Sequence, residues 1–255
     1  MNLQNKTLIV TGVASGIGAE LARLARFQGA TVIGVDRHEP QLSLDGFFQA
    51  DLGDPASIDA LVACLPARVD ALCNVAGVPG TASVQAVADV NYLGLRHLTH
   101  RLLPRMSAGG SVVNVASILG AQWPQRLELH KALAATESYA AGRQWLASNP
   151  VEQASCYQYF KEALIVWTFQ QACHWFRDHA VRINCVAPGP VFTPILGDFV
   201  NMLGPERVAQ DSLRMTRPAL ADEVAAVIAF LCSDAARWIN GVNLPVDGGL
   251  AATYV

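Results

Sequence analysis

A tyrosine and a lysine one helical turn apart are the side chains best suited to chemistry in this chain. Tyr157 and Lys161 lie in residues 155–167, a run without Gly or Pro that predicts a helix. Residues at i and i+4 share one face of a helix. A cation beside a phenol lowers the tyrosine pKa, so Tyr157 could exchange a proton with a substrate. The alternative is a packed ring beside a surface lysine, although only three lysines occur in the chain.

A glycine-rich turn near the start of the chain predicts a dinucleotide-binding site. The β-branched run at 7–10 predicts a strand, Gly12-Val-Ala-Ser-Gly-Ile-Gly18 follows it, and 19–27 predicts a helix. Glycine lets the backbone turn tightly and approach a pyrophosphate. The start of the helix presents free N–H groups to the phosphates. We therefore expect this turn to contact the cofactor through Gly12, Ser15, Gly16, Ile17 and Gly18.

An acidic residue ends the second predicted strand, at 29–36. Asp36 lies 18 residues after Gly18, where a carboxylate can accept hydrogen bonds from the adenosine ribose. The carboxylate would also repel the 2′-phosphate of NADP, so NAD is the predicted cofactor and NADP the less favoured one. Arg37 and His38 keep NADP open, because a cation there could accommodate the phosphate. The alternative role for Asp36 is a solvated loop acid.

The rest of the chain alternates strand and helix patterns without repeats or linkers. Further strands are predicted at 47–50, 70–77, 111–117, 181–187 and 242–246. Further helices are predicted at 57–65, 85–106, 155–177 and 220–233. Residues 122–153 predict one or two amphipathic helices, and 195–216 an apolar, mobile segment. The pattern indicates the α/β class, with a Rossmann-like, doubly wound parallel sheet of seven strands in a single domain over 1–255.

Composition and charge exclude several classes of protein. The net charge of −3 gives no electrostatic basis for binding nucleic acid or an anionic membrane. The longest apolar runs are too short to span a bilayer, and the N-terminus lacks a signal-peptide pattern. The six cysteines and six histidines form no metal-ligand pattern. We therefore expect reduced thiols, no metal and a cytoplasmic protein whose partner is a small molecule.

Together these motifs resemble the short-chain dehydrogenase/reductase family over the full length of the chain. The matching residues follow the family's order: Thr11-Gly-x-x-x-Gly-Ile-Gly18, Asn74-Val-Ala-Gly77, Asn91, Ser117, Tyr157-x-x-x-Lys161, Pro188-Gly189 with Thr193, and Asp247-Gly-Gly249. Any one of these motifs is weak evidence, whereas their joint occurrence is highly specific.

The resemblance implies catalytic roles for four residues. Tyr157 would be the general acid/base on the substrate oxygen, and Ser117 would orient that oxygen. Lys161 would lower the pKa of Tyr157 and bind the nicotinamide ribose, while Asn91 would hold a water that relays the proton to solvent. The implied cofactor contacts beyond the glycine turn are Asp36, Asp51, Leu52, Asn74, Ala76, Gly77, Tyr157, Lys161, Pro188, Gly189, Val191 and Thr193.

The chain departs from the family pattern in two places. Val75 stands where the family usually has a second asparagine. Ser117 and Tyr157 are 40 residues apart, further than in most members, so 122–153 is an insertion before the helix of Tyr157. A similar insertion occurs in the bacterial 3α-hydroxysteroid dehydrogenase/carbonyl reductase subgroup. We expect the insertion to influence which alcohol reaches Tyr157.

The resemblance implies an NAD-dependent oxidoreductase that interconverts an alcohol and a carbonyl. Residues 149–167 and 245–255 resemble the bacterial coniferyl-alcohol dehydrogenases, which implies an aromatic, coniferyl-type alcohol. A 3α-hydroxysteroid is the alternative substrate, and a non-catalytic NAD-binding regulatory protein is a distant one. The substrate pocket is predicted to be apolar. Its candidate aromatic and apolar residues, each of which could instead only pack against the body, are Trp123, Tyr139, Trp145, Phe199 and Met202.

The resemblance also implies a homo-oligomer. In the family, the helices that correspond to 85–106 and 155–177 usually form a tetramer interface. The insertion immediately precedes the second of these helices and would block that interface. A dimer formed through the C-terminal helix and strand is therefore favoured over a tetramer.

Overall fold

A parallel sheet runs through the centre of the protein, for which a computed structural model describes residues 2–254. The strands are β1 (Thr7–Thr11), β2 (Thr31–Asp36), β3 (Gly46–Gln49), β4 (Val69–Asn74), β5 (Met106–Val115), β6 (Arg182–Pro188), β7 (Val191–Phe192), β8 (Ala219–Leu220) and β9 (Asn243–Val246). Strands β7 and β8 pair with each other, and the other seven form one sheet in the order β3-β2-β1-β4-β5-β6-β9. Every neighbouring pair in it is parallel. The predicted seven-stranded fold is confirmed.

Helices cover both faces of the sheet, which explains why its central strands are apolar on both sides. The helices are α1 (Gly16–Phe27), α2 (Pro55–Cys64), α3 (Val84–Ala88), α4 (Leu95–Leu102), α5 (Leu127–Ala134), α6 (Tyr139–Ser148), α7 (Cys156–His179), α8 (Leu196–Leu203), α9 (Pro205–Met215) and α10 (Ala221–Cys232). One core lies beneath α1 and α10, around Leu21 and Ile228. The other lies beneath α2, α4 and α7, around Leu98 and Leu164. Among residues 2–254, no helix is long and apolar enough to cross a membrane.

The helix predicted at 85–106 contains a π-helical segment. Helix α3 leads into this wider turn at Asp89–Gly94, and α4 follows it. The last residue of the predicted helix, Met106, already belongs to β5. A Cβ atom at Gly94 would overlap the carbonyl oxygen of Leu52, so the turn after β3 lies directly against the π-helical segment.

Two regions with weaker sequence patterns form helices. The insertion at 122–153 contains α5 and α6, as predicted. The segment at 195–216, for which the sequence predicts an apolar, mobile stretch, forms α8 and α9. Gly204, with a φ of +86°, separates these two helices. Apolar residues of 195–203 line the cleft at the carboxyl ends of the strands, and the mobility of the segment stays a prediction.

Strand β9 forms one edge of the sheet and contains a proline. The N–H groups of Cys185 and Gly189 donate to the carbonyl oxygens of Val242 and Val246, at 2.8 and 3.1 Å. Backbone groups alternate in direction along a strand, so these contacts turn the backbone of Pro245 away from the sheet. Pro245 therefore occupies the outer side of the edge, where its missing N–H costs no hydrogen bond within the sheet.

Candidate active site

A cleft opens at the carboxyl ends of the parallel strands, where an open α/β sheet binds its ligands. It extends from the glycine turn after β1 to the inward face of α7. The predicted site residues that line it are Gly12, Ser15, Gly16, Ile17, Gly18, Asp36, Asp51, Leu52, Ala76, Gly77, Ser117, Tyr157, Lys161, Pro188, Gly189, Val191 and Thr193. Residues from six strand ends are therefore brought together in one cleft.

The glycine turn at one side of the cleft fits a pyrophosphate. A Cβ atom at Gly18 would overlap the carbonyl oxygen of Gly12, so only glycine allows α1 to begin this close to the turn. Gly16 has a φ of +57°, which other residues rarely adopt. The side chain of Ser15 does not cap α1, which leaves the first N–H groups of that helix available to an anion.

Asp36 lies at the end of β2, next to the glycine turn. Its Oδ2 atom accepts a hydrogen bond from the backbone nitrogen of Ala14 at 2.9 Å, and its Oδ1 atom accepts one from the backbone nitrogen of His38 at 3.0 Å. These bonds fix the carboxylate at the edge of the cleft, where it could meet ribose hydroxyls. Arg37 and His38 also line the cleft. The cleft therefore has the features expected of an adenosine site at this end.

Ser117, Tyr157 and Lys161 form the other end of the cleft. Each is no more than 7% exposed. The Nζ atom of Lys161 lies 5.5 Å from the centre of the Tyr157 ring and donates to the carbonyl oxygen of Val115 at 2.7 Å. The hydroxyl of Ser117 accepts a hydrogen bond from the backbone nitrogen of Leu119 at 3.2 Å. Ser117 thus caps a short helical turn, and its contact with a substrate oxygen stays a prediction.

Burial dominates the acid–base behaviour of Tyr157 and Lys161. Removal from water raises the pKa of Tyr157 above its ordinary value, and a hydrogen bond with Ser117 offsets this only in part. Burial also lowers the pKa of Lys161 to about 8. Burial is thus the largest influence on the Tyr157 pKa in this structure, and the lowering of that pKa by Lys161 stays a prediction.

The two predicted asparagines lie behind the cleft rather than on its surface. In the π-helical segment, Asn91 accepts a hydrogen bond from the backbone nitrogen of Val78 at 2.8 Å and donates to its carbonyl oxygen at 2.9 Å. Asn74 donates to Asn114 at 2.9 Å and to Thr99 at 3.0 Å, inside the core. Both side chains hold strands and loops that shape the site. The water relay through Asn91 and the cofactor contact of Asn74 stay predictions.

Apolar side chains from α8 lie over the catalytic end of the cleft. The ring of Phe199 contacts the ring of Tyr157 edge to face, with centroids 5.1 Å apart. Met202 packs against Gly80, close to the Cβ atom of Tyr157. Ile118 and Leu119 line the cleft as well and were not among the predicted residues. Their position directly after Ser117, at the end of a central strand, is the signal that could have identified them.

The aromatic residues of the insertion do not line the cleft. Trp123 packs edge to face on Phe169 of α7, with centroids 5.4 Å apart. Trp145 packs against the core, and the hydroxyl of Tyr139 donates to the carbonyl oxygen of Gly53 at 2.7 Å. The prediction that these side chains form the substrate pocket was therefore wrong. They bury the insertion against the body of the protein, which was the alternative.

A buried ionic cluster fastens the insertion to α7. Glu162 directly follows Lys161, is fully buried, and accepts hydrogen bonds from Arg126 at 2.6 and 2.9 Å. His130 adds a hydrogen bond of 2.8 Å. Burial by itself would raise the pKa of Glu162, but the hydrogen bonds from His130 and Arg126 lower it overall. The insertion thus contacts α7, the helix that carries Tyr157 and Lys161.

Comparisons with known proteins identify relatives of this chain. Residues 6–128 match a family model described as short chain dehydrogenase, and residues 132–251 match one described as enoyl-(acyl carrier protein) reductase. The chain is 62% identical to coniferyl-alcohol dehydrogenase from Pseudomonas sp. strain HR199, over 100% of both chains. It is 31% identical to 3-alpha-hydroxysteroid dehydrogenase/carbonyl reductase from Comamonas testosteroni, over 96% of both.

A solved structure extends this similarity to the fold. The crystal structure of the 3-alpha-hydroxysteroid dehydrogenase from Pseudomonas sp. B-0831, complexed with NADH, matches with a TM-score of 0.81 and 32% identity. The match covers 98% of each chain. Because sequence identity and fold agree over the whole length, and the glycine turn, Ser117, Tyr157 and Lys161 meet in one cleft, the chain belongs to the short-chain dehydrogenase family.

Proposed function

We propose that the protein is an NAD-dependent dehydrogenase that interconverts a coniferyl-type aromatic alcohol and its carbonyl product. The observation that carries this proposal is the full-length identity of 62% to a coniferyl-alcohol dehydrogenase. A 3α-hydroxysteroid is the second candidate substrate, supported by the 31% identity to a hydroxysteroid dehydrogenase/carbonyl reductase. The two candidates share one reaction and differ only in the molecule that occupies the apolar end of the cleft.

The residues of the cleft fit NAD. The glycine turn and the start of α1 would hold the pyrophosphate, and Asp36 would accept hydrogen bonds from the adenosine ribose. Lys161 would bind the nicotinamide ribose, and Thr193 with the backbone of Pro188, Gly189 and Val191 would hold the carboxamide. When bound, NAD supplies the acceptor for the hydride of the alcohol.

The chain itself supplies the proton chemistry. Ser117 would donate a hydrogen bond to the substrate oxygen, and Tyr157 would exchange the proton with it. Because burial raises the pKa of Tyr157, its phenol keeps the proton near neutral pH, which suits donation to a carbonyl oxygen. Oxidation of an alcohol needs a base instead. We therefore expect the rate of alcohol oxidation to rise towards alkaline pH.

The lining of the substrate end supports a flat, apolar substrate. Phe199 already makes an edge-to-face contact with Tyr157, and Leu196, Leu203 and Ile118 add aliphatic surface. Aromatic rings gain from edge-to-face packing beyond the burial of their area. A coniferyl ring between Phe199 and the aliphatic wall would bring its side-chain alcohol towards Ser117 and Tyr157.

The two substrates can be separated by a direct assay. Steady-state oxidation of coniferyl alcohol and of a 3α-hydroxysteroid, both with NAD, is expected to give a kcat/KM at least about tenfold higher for coniferyl alcohol. A higher kcat/KM for the steroid would instead identify the 3α-hydroxysteroid as the substrate. Binding of NADH without oxidation of either substrate would instead support the non-catalytic regulatory alternative.

We also propose that the protein is a cytoplasmic homodimer. The insertion covers part of the α4 surface, where Arg96 donates to the carbonyl oxygens of Leu133 and Thr136 at 3.0 and 2.6 Å. It covers part of α7 through Trp123 and Arg126. A partner would therefore use α10 and β9. Sedimentation equilibrium should give twice the chain mass of 27.2 kDa, and a tetramer would contradict the proposal.

A further inference from the structure

The turn after β3 forms one wall of the cleft and rests on the π-helical segment. Asp51 and Leu52 line the cleft, and the backbone nitrogen of Gly53 donates to Oδ1 of Asp51 at 2.8 Å. Behind the turn, a Cβ atom at Gly53 would lie 3.3 Å from Val90, which also lines the cleft. A Cβ atom at Gly94 would overlap the carbonyl oxygen of Leu52, so these two residues are packed even more tightly. The position of this wall therefore depends on how the turn and the π-helical segment fit together.

Helix α6 of the insertion contacts both the turn after β3 and the π-helical segment. The hydroxyl of Tyr139 donates to the carbonyl oxygen of Gly53 at 2.7 Å. One helical turn later, Arg143 pairs with Asp89, the first residue of the π-helical segment, through hydrogen bonds of 2.8 and 2.6 Å. The guanidinium of Arg143 also lies 5.8 Å from the centre of the Tyr139 ring. A single face of α6 thus joins the two halves of the cleft wall.

This wall belongs to the adenosine end of the cleft. Strand β3 lies beside β2, which carries Asp36, at the edge of the sheet furthest from β6 and β9. Ser117 follows β5, three strands beyond β2 in the sheet. A dinucleotide that has its ribose at Asp36 therefore has its adenosine half near Asp51 and Leu52, and its nicotinamide half near Tyr157.

We infer that Tyr139 is a positioning residue for the adenosine half of NAD, so that the insertion supports cofactor binding and not the substrate pocket. This inference rests on the proposed use of NAD. Without the Tyr139 hydroxyl, the carbonyl oxygen of Gly53 loses its partner and the turn is held less firmly. In the variant, the binding of NAD must then order the turn, and the free energy that this ordering costs weakens the binding of NAD.

The test compares Tyr139→Phe with the wild-type protein by calorimetric titration of AMP, nicotinamide mononucleotide and NADH. The dissociation constants of AMP and NADH should rise about threefold to tenfold, the range expected for one lost hydrogen bond. The constant for nicotinamide mononucleotide should stay within about twofold, and so should kcat at saturating NAD. Tyr159→Phe is the matched control. It removes a hydroxyl that has no hydrogen bond to any residue within 2–254.

Two results would overturn the inference. One is unchanged binding of AMP by Tyr139→Phe. The other is an equal loss for AMP and nicotinamide mononucleotide together with a Tm well below that of Tyr159→Phe, which indicates general destabilisation. The titrations contain no alcohol, so they test the inference separately from the proposed activity. A protein that binds NADH normally but oxidises no alcohol would contradict the proposed function and not the inference about Tyr139.

Discussion

The Nζ atom of Lys161 donates a hydrogen bond of 2.7 Å to the carbonyl oxygen of Val115, two residues before Ser117. This contact ties α7 to the end of β5. It brings Ser117 and Tyr157 to one point although 40 positions separate them in the sequence. The position of Ser117 relative to Tyr157 thus depends on a direct hydrogen bond between α7 and β5.

Removal of the Tyr157 hydroxyl should abolish the proton transfer and leave cofactor binding largely intact. For Tyr157→Phe we expect kcat to fall about a thousandfold, which is within the range for the loss of a general acid/base. The dissociation constant of NADH should change by no more than about threefold. Steady-state kinetics and calorimetry measure both quantities, with Tyr159→Phe as the matched variant. Near-normal turnover by Tyr157→Phe would rule out the assigned role.

Burial of Lys161 makes the stability of the protein depend on pH at alkaline values. Its pKa is lowered from 10.5 to about 8 in the folded chain, so the unfolded chain binds more protons between these two values. Stability therefore rises with pH across that window, as the penalty for burying the ammonium disappears. Lys161→Met has no such penalty. Its stability relative to wild type should be highest below pH 8 and fall by up to about 3 kcal/mol towards pH 10.5.

Urea unfolding of the wild type and Lys161→Met at neutral and alkaline pH measures this effect. The hydrogen bond to Val115 is lost in the variant at every pH and adds a constant to the difference. A difference in unfolding free energy that stays the same at both pH values would contradict the burial argument.

The ionic cluster that fastens the insertion should contribute strongly to stability. Glu162→Gln removes the buried negative charge that pairs with Arg126 and His130, and we expect a loss of about 3 kcal/mol in the unfolding free energy. The control is Glu128→Gln, since Glu128 pairs with Lys131 while its side chain is 83% exposed. That variant should lose less than about 1 kcal/mol.

Acid should remove the advantage of the wild type over Glu162→Gln. Because the folded pKa of Glu162 is below its ordinary value of 4.5, its stabilising effect is present above that value and is lost as the pH falls through the folded pKa. Unfolding measured from pH 7 downwards follows this loss. Equal stability of the two proteins at neutral pH would show that the cluster does not anchor the insertion.

The charge of Asp36 should control the choice between NAD and NADP. Asp36→Asn keeps the shape of the side chain and removes its repulsion of a 2′-phosphate, while Arg37 and His38 remain in the cleft. The ratio of kcat/KM with NADP to that with NAD should rise by about tenfold, since one charge contact near a surface contributes roughly 1 kcal/mol or more. An unchanged ratio would assign the discrimination to other residues.

Local patterns predicted the fold, and the family resemblance added most of the residues that line the cleft. The glycine turn, Asp36 and Ser117 each follow a short apolar strand, and the carboxyl ends of parallel strands necessarily meet at one edge of the sheet. Their positions therefore required no knowledge of side-chain packing. The alternation of strand and helix patterns predicted the order of elements for the same reason.

The features that could not be predicted concern side chains whose surroundings come from distant parts of the chain. Asn74 bonds to Asn114 and Thr99, and no local pattern shows which way an amide at a strand end will point. Trp123 and Tyr139 could equally have faced a substrate or a neighbouring helix. The raised pKa of Tyr157 follows from its burial by α7 and α8, which a helical spacing of four residues does not reveal.

The proline in β9 has a consequence for how copies of this protein can meet in concentrated solution. Pro245 and Asn243 turn their backbones away from β6, so within Asn243–Val246 the outer edge can offer a single N–H donor, from Asn243. An incoming strand would find too few donors to continue the ladder, and such edges resist the strand addition that leads to aggregation. Two copies that associate at this edge would therefore rely mainly on their side chains, which confines association to surfaces of matching shape.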